Sequence, residues 1–172
     1  MEDLSRFLES YYCAVTIDLS DKKWHTKAKI PSVPGWYFIQ TNMPFERLCA
    51  QDIWQATYVT KKKQEIKPVR NYNLSQRAQR FGPDLSNCWN IKEVYSGMSS
   101  NLMSRAREHT FADPGTSGLA LSRYPEARDY KWLFGYLTLE RFLPNPSCQH
   151  MLLNLGEQIW RSKNGWPLLC AE

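Results

Sequence analysis

No stretch of about 18 consecutive apolar residues occurs in the sequence, so nothing in it predicts a membrane-spanning helix. Cysteine is sparse and scattered: five, at 13, 49, 88, 148 and 170, with no C-x-x-C pair and no histidine at zinc-finger spacing. Those absences argue against a structural zinc site and against a disulfide framework. Internal repeats are absent, as is any glycine-rich or alternating-charge segment long enough to separate two units. A single domain over 1–172 is therefore expected. Met1 is followed by Glu2-Asp3 rather than by a basic region and an apolar core, so a soluble, reduced, intracellular (cytoplasmic) protein without membrane partners is expected.

The chain has 172 residues, enough to bury most of its apolar surface without staples. Its 22 Lys+Arg against 17 Asp+Glu leave a net charge of +5, which tilts toward polyanionic partners but is shared by many proteins that bind none. Seven tryptophans and nine tyrosines are many for this length, and most are expected in the core.

Residues 2–15 (EDLSRFLESYYCAV) predict a first helix, with acids in the opening turn and Leu4, Phe7, Leu8, Tyr11 and Tyr12 at helical spacing. Pro31 and Pro34-Gly35 form a turn that launches the strand Trp36–Thr41, rich in aromatic and β-branched residues. Pro44 is expected at the first position of a helix through residue 56. From 61 to 80 the run KKKQEIKPVRNYNLSQRAQR carries Lys61, Lys62, Lys63, Lys67, Arg70, Arg77 and Arg80 against one acid, Glu65. Such a run is either a solvated face or a surface that bonds phosphates and base edges, and its Asn, Gln and Tyr residues suit the second. Trp89–Tyr95 leads a second strand and Trp132–Leu139 makes a third. The last helix spans about 148–163, with Met151, Leu152, Leu155 and Ile159 as its apolar stripe and Glu157 roughly opposite. Asn164-Gly165-Trp166-Pro167 ends it.

The segment VYSGMSSNLMSRAREH (94–109) poses a sharper question. A strand ends at Tyr95-Ser96-Gly97 and a helix opens at once, with Ser99 or Ser100 as the expected cap. On that helix Leu102, Arg105, Ala106 and His109 share one face. Leu102 turns the face inward, so an arginine and a histidine go with it.

Gly35-Trp36-Tyr37, Tyr95-Ser96-Gly97, the S-x-N-L of Ser99 to Leu102, Arg105 ten residues beyond Tyr95, His109 fourteen beyond it and Glu157 on a late helix form an ordered set. In that set the chain resembles the GIY-YIG nuclease family over about 34–43 and 92–164. Trp36 and Ser96 stand where the family has its two isoleucines, and the interval from Tyr37 to Tyr95 is longer than usual. Residues 44–91 then read as an insertion and 1–33 as an N-terminal extension. The fold implied is α/β (α+β): a small three-stranded, mainly antiparallel sheet flanked by helices, with the insertion between its first two core strands.

The resemblance implies a metal-dependent DNA endonuclease. Phosphodiester hydrolysis needs an activated water, cations where charge grows on the phosphoryl oxygens, and help for the leaving oxygen. Arg105 would be the fixed cation, and Glu157 the ligand of one Mg²⁺ (or Mn²⁺), an ion that prefers oxygen and keeps most of its waters. Tyr37 would be the general base, Tyr95 would orient water or bond phosphate, and His109 would take the proton onward. A free phenol titrates near 10, so only about one in a thousand is ionised at pH 7; Arg105 and the metal are expected to favour the phenolate. Asn164 is either the family's Asn after the Glu or a plain helix terminator.

Phosphate contacts carry no sequence information, so Lys61, Lys62, Lys63, Lys67, Arg70, Arg77 and Arg80 are the expected DNA-recognition element on double-stranded DNA. One site cuts one strand, which makes a type II restriction endonuclease working as a homodimer the expected role. Alternatives are a phage, mobile-element or structure-selective repair nuclease, a nucleic-acid-binding protein without catalysis, and an α+β domain whose spacing is coincidental.

Overall fold

The computed structural model of this chain describes residues 2–10, 12–51, 57–60, 62–68, 73–80, 93–111, 113, 116–144 and 147–170. In chain order its elements are α1 (Glu2–Glu9), β1 (Cys13–Thr16), α2 (Trp24–Lys27), β2 (Gly35–Thr41), α3 (Phe45–Cys49), β3 (Thr57–Val59), β4 (Ile66–Pro68), α4 (Leu74–Gln79), β5 (Glu93–Ser99), α5 (Leu102–Thr110), β6 (Trp132–Thr138), α6 (Leu139–Phe142) and α7 (Gln149–Asn164). Four strands form one antiparallel sheet in the order β1-β6-β2-β5, and β3 pairs with β4 in a separate hairpin.

The class is the mixed α/β one expected, but the sheet has four strands among the described residues, not three. The extra strand comes from the expected first helix, which stops at Glu9. Ser10 closes it: its N–H donates to Arg6 and Phe7 carbonyls, and its hydroxyl donates to Phe7 O at 2.7 Å. Cys13–Thr16 then pairs with Tyr136–Leu133 along the sheet edge. The helical spacing of residues 4 to 12 runs up to this strand and hides it, because an exposed edge strand has little apolar alternation of its own.

Strand β2 is the hub, bonded to β6 on one side and β5 on the other. Successive side chains alternate between faces. Tyr37 and Ile39 enter one core with Tyr95, Leu102, Ala106 and Phe134. Trp36 enters a second core with Leu4, Leu8, Leu137, Leu153 and Trp160. Helix α5 therefore covers one face, and α1 with α7 covers the other. Each fully buried large side chain there adds roughly 1.5–3 kcal/mol relative to exposure.

The buried positions of α7 are Leu153, Gly156 and Trp160, whereas Met151 is 62% exposed. That removes Met151 from the expected stripe, while Leu152, Leu155 and Ile159 pack half-buried against the second core. The Trp36 indole N–H donates to Leu153 O at 2.9 Å, and a Cβ on Gly156 would lie 2.4 Å from the same nitrogen. Glycine inside a helix costs about 1 kcal/mol relative to alanine; here it lets the indole reach the helix backbone. Trp36 thereby sets the rotation of α7 and places Glu157 beside the sheet.

Within the insertion, α3 starts after Pro44, which is the N-cap rather than the first helical residue. It ends at Cys49 with Ala50 as its C-cap, short of the expected end at 56, and residues 52–56 lie outside the described residues.

Candidate active site

Strand β5 delivers Tyr95 and Gly97, and the chain turns directly into α5. Asn101 is the cap of α5, in place of the expected Ser99 or Ser100: its Oδ1 accepts from Ser104 N at 2.9 Å. Ser99 Oγ instead bonds the Asn101 N–H and C=O, fixing the turn that precedes the cap. Leu102, Ala106 and His109 are fully buried and Arg105 stands beside them, which is the shared face that the spacing predicts.

Four of the five expected catalytic residues meet at one oxygen. Arg105 Nε donates to the Tyr37 hydroxyl at 2.9 Å, and His109 Nε2 lies 2.9 Å from the same atom. Arg105 Nη2 donates to the Tyr95 hydroxyl at 3.4 Å, and Nη1 pairs with Glu108 at 2.8 Å. The Tyr37 ring is stacked between Tyr95 and Phe134, with centroids 6.0 and 5.3 Å away. Ring plane and hydroxyl position are thus both fixed.

A Cβ on Gly97 would sit 2.5 Å from the Tyr37 hydroxyl oxygen. Glycine is required there because the phenol lies against the backbone of the paired strand, where Tyr37 and Gly97 are register partners.

His109 is locked in one tautomer. The Leu119 backbone N–H donates to Nδ1 at 3.2 Å, so the ring proton is assigned to Nε2, which donates to Tyr37. Burial, then Arg105, holds the imidazole pKa well below its usual 6.5. Neutral and with its one acceptor in use, His109 is a donor to Tyr37. A proton leaving Tyr37 has no acceptor site on this ring, which revises the expected relay.

Burial pushes the Tyr37 phenol up to about 12, against the pull of Arg105 and of a hydrogen bond with Tyr95. The expected lowering by Arg105 is present but does not prevail. For Arg105, burial works against the charge, but Tyr37, Tyr95 and Glu108 outweigh it and raise the pKa.

Glu157 comes from the other side of the sheet. It lines a small cleft with Tyr37, Gly97, Ser96 and Trp160, and it is near enough to Arg105 for that charge to act on its carboxyl. Burial pushes this carboxyl up while Arg161 and Arg105 pull it down.

Sequence reasoning missed Arg161, one turn beyond Glu157. Its Nη2 pairs with Glu157 Oε1 at 2.5 Å. Its guanidinium also donates to Ser96 Oγ and O, both at 3.2 Å, and lies 4.3 Å from the Trp166 ring centroid. The i,i+4 spacing of acid and base was the signal available. Asn164 turns back on its own helix, donating from Nδ2 to Trp160 O at 2.9 Å.

Among the described residues no group of three or more His, Cys, Asp and Glu gathers to hold a metal. Glu157 is still a fit for Mg²⁺ of the kind held by one carboxylate plus substrate phosphates: a hard oxygen donor, 15% exposed, opening on the cleft that holds Tyr37.

The expected DNA-contacting residues lie elsewhere. Lys62, Lys63 and Lys67 are exposed on the β3–β4 hairpin, Lys67 beside Glu65 at 3.4 Å. Arg77 is half-buried on α4 and Arg80 exposed at its end. Lys61 and Arg70 lie outside the described residues. No helix among the described residues is long and apolar enough to cross a membrane.

No family model, no curated protein and no solved structure matches this chain.

Proposed function

We propose that the chain is a metal-dependent DNA endonuclease similar to the GIY-YIG nucleases, with Tyr37, Tyr95, Arg105, His109 and Glu157 as its site. The observation that carries this reading is the convergence of Arg105, His109 and Tyr95 on the Tyr37 hydroxyl, with Glu157 lining the same cleft. Two donors aimed at one phenol oxygen, Arg105 Nε and His109 Nε2, stabilise the charge it acquires when it takes up the base role. Arg105, fixed by Glu108, is placed to neutralise charge growing on a phosphoryl oxygen. Mg²⁺ held by Glu157 and a DNA phosphate would supply further positive charge to that oxygen. Arg161 orients the carboxylate from the far side.

The hairpin supports double-stranded DNA as substrate. A two-stranded β-ribbon fits the major groove. Here Val59 and Ile66, register partners, are 54% and 73% exposed, with Lys62 and Lys63 at the turn between them. Apolar side chains flanked by lysines suit thymine methyls between phosphates. Action as a homodimeric type II restriction enzyme is the finer proposal, since one site cuts one strand.

Plasmid DNA incubated with the protein and Mg²⁺, beside Glu157→Ala and an EDTA control, tests this. Discrete metal-dependent fragments lost in the variant are expected, and intact DNA with every sample overturns the nuclease reading. A molar mass of one chain with and without DNA sinks the dimer. The burial of Tyr37, 3% exposed, favours a second reading: a nucleic-acid-binding protein without catalysis. In that case DNA shifts on a gel but stays uncut.

A further inference from the structure

A second polar cavity lies away from the Tyr37 cleft. Residues 105 and 107 of α5 are separated by about 200° around the helix axis. Arg105 points to the sheet, and Arg107 to an open cleft of about 570 Å³. That volume is in the range of small-molecule sites, roughly 300–1,000 Å³.

The lining is one-sided in charge. Lys22, Arg107, Arg123 and Arg128 face it against a single carboxylate, Asp113, a formal excess of three positive charges. Asp113 is itself held by a two-pronged contact, accepting from Arg107 Nε at 2.8 Å and from Nη2 at 2.9 Å. This fork anchors the arginine while Lys22, Arg123 and Arg128 stay exposed. The nearby acids of the Asp18–Asp21 loop are engaged elsewhere. Asp18 accepts from the Ser20 hydroxyl and from the Ser20 and Asp21 amides, and Asp21 pairs with Lys27 at 2.6 Å. The Ser122 hydroxyl adds a neutral donor, and the Phe111 ring, 5.9 Å from the Arg107 guanidinium, adds a flat apolar wall. Behind the cleft, His25 is buried, and its Nδ1 has no hydrogen-bond partner among the described residues. It is close enough to Arg107 and Asp113 to feel both charges.

Four cations from three separate segments around one concave surface, with Asp113 answering Arg107, leave a positive potential that an anionic ligand would lower. Arginine forks and a hydroxyl match the oxygens of a phosphate ester, and a carboxylate would use fewer of them. We propose that this cleft is a binding site for phosphate esters, distinct from the catalytic cleft and independent of the nuclease reading. Its occupant is either a free phosphorylated small molecule or a phosphodiester backbone; both present the same oxygens.

The test is calorimetric titration of the whole chain with inorganic pyrophosphate, and separately with a 12-base-pair duplex in EDTA. The double variant Arg123→Glu/Arg128→Glu is compared with Lys22→Glu; all three positions are exposed, and an unchanged Tm checks the fold. Saturable pyrophosphate binding, weakened at least tenfold in both variants, is expected. A duplex affinity that falls in parallel, with a shallower salt slope, identifies the backbone of a nucleic acid as the occupant. Duplex binding that stays at its original strength while pyrophosphate is lost identifies a free phosphorylated ligand. Absent pyrophosphate binding, or binding that neither variant changes, overturns the proposal.

Discussion

Replacing Tyr37 with phenylalanine removes one oxygen and little else, so its cost can be worked from the groups that oxygen serves. It accepts from His109 Nε2 and from Arg105 Nε, each at 2.9 Å. His109 is fully buried, and no water reaches the donor left behind. An orphaned buried donor costs about 1–3 kcal/mol. Arg105 keeps its Glu108 partner, and its side chain is 16% exposed, so its loss lies at the low end of that range. The ring itself still fits between Tyr95 and Phe134. A net loss of about 2–3 kcal/mol follows, which at roughly 2–4 °C per kcal/mol for a chain of this size lowers Tm by about 4–12 °C. Urea unfolding followed by tryptophan fluorescence measures it, with an unchanged m-value showing that only stability moved. Adding His109→Leu to Tyr37→Phe removes the orphaned donor, so the double variant loses less than the sum of the singles. A Tyr37→Phe protein within 0.5 kcal/mol (about the usual scatter) of wild type refutes the hydrogen-bonded arrangement.

Gly97→Ala places a methyl about 2.5 Å from the Tyr37 oxygen and displaces a phenol that has no room to retreat. Overpacking of this kind costs about 1–3 kcal/mol, and if the chain is the nuclease proposed, DNA cleavage falls on the order of 100-fold because the site moves; retained cleavage counts against Tyr37 as a reacting group. Stability falls with acid through His109. Its folded pKa is below 6.5, so from about pH 6.5 downward the unfolded chain takes up a proton that the folded one refuses. The contribution is full above 6.5 and lost as pH drops, by up to about 1.4 kcal/mol per unit; denaturation at pH 7 and 5 gives a flatter dependence in His109→Gln, and identical slopes contradict this. If Tyr37 is the general base, its phenol near 12 leaves about one molecule in ten thousand ionised at pH 8. The single-turnover cleavage rate then rises tenfold per unit between pH 7 and 9, and a plateau in that range removes Tyr37 from the role.

The parts of the site that were legible in the sequence are those governed by local periodicity. Leu102, Arg105, Ala106 and His109 fall on one helix face by spacing alone, and the strand through Tyr37 announces itself by its aromatic and β-branched run. Strand β1 did not, because the helical spacing before it runs on and an edge strand has no apolar rhythm to contradict it. The tautomer of His109 depends on the Leu119 amide, a backbone group supplied by a loop ten residues away. No side-chain pattern encodes such a partner. The Tyr37 pKa depends on how completely Phe134 and Tyr95 exclude water, which is a property of the packed sheet.

Both positions where the chain departs from the pattern it resembles make contacts with the helix that carries Glu157. Trp36 stands in place of one isoleucine, and its indole fills the space opened by Gly156 while bonding the Leu153 carbonyl. Ser96 stands in place of the other, and its hydroxyl and carbonyl receive the guanidinium of Arg161, which in turn grips Glu157. An isoleucine at 36 has no donor for that carbonyl and leaves Gly156 without its reason. An isoleucine at 96 takes away one of the two Ser96 acceptors that steady Arg161. The substitutions are therefore coupled across the sheet: Trp36 with Gly156 and Ser96 with Arg161 are two pairs that fix one helix. Each departure that weakens the sequence resemblance strengthens the physical account of how the carboxylate reaches the Tyr37 cleft.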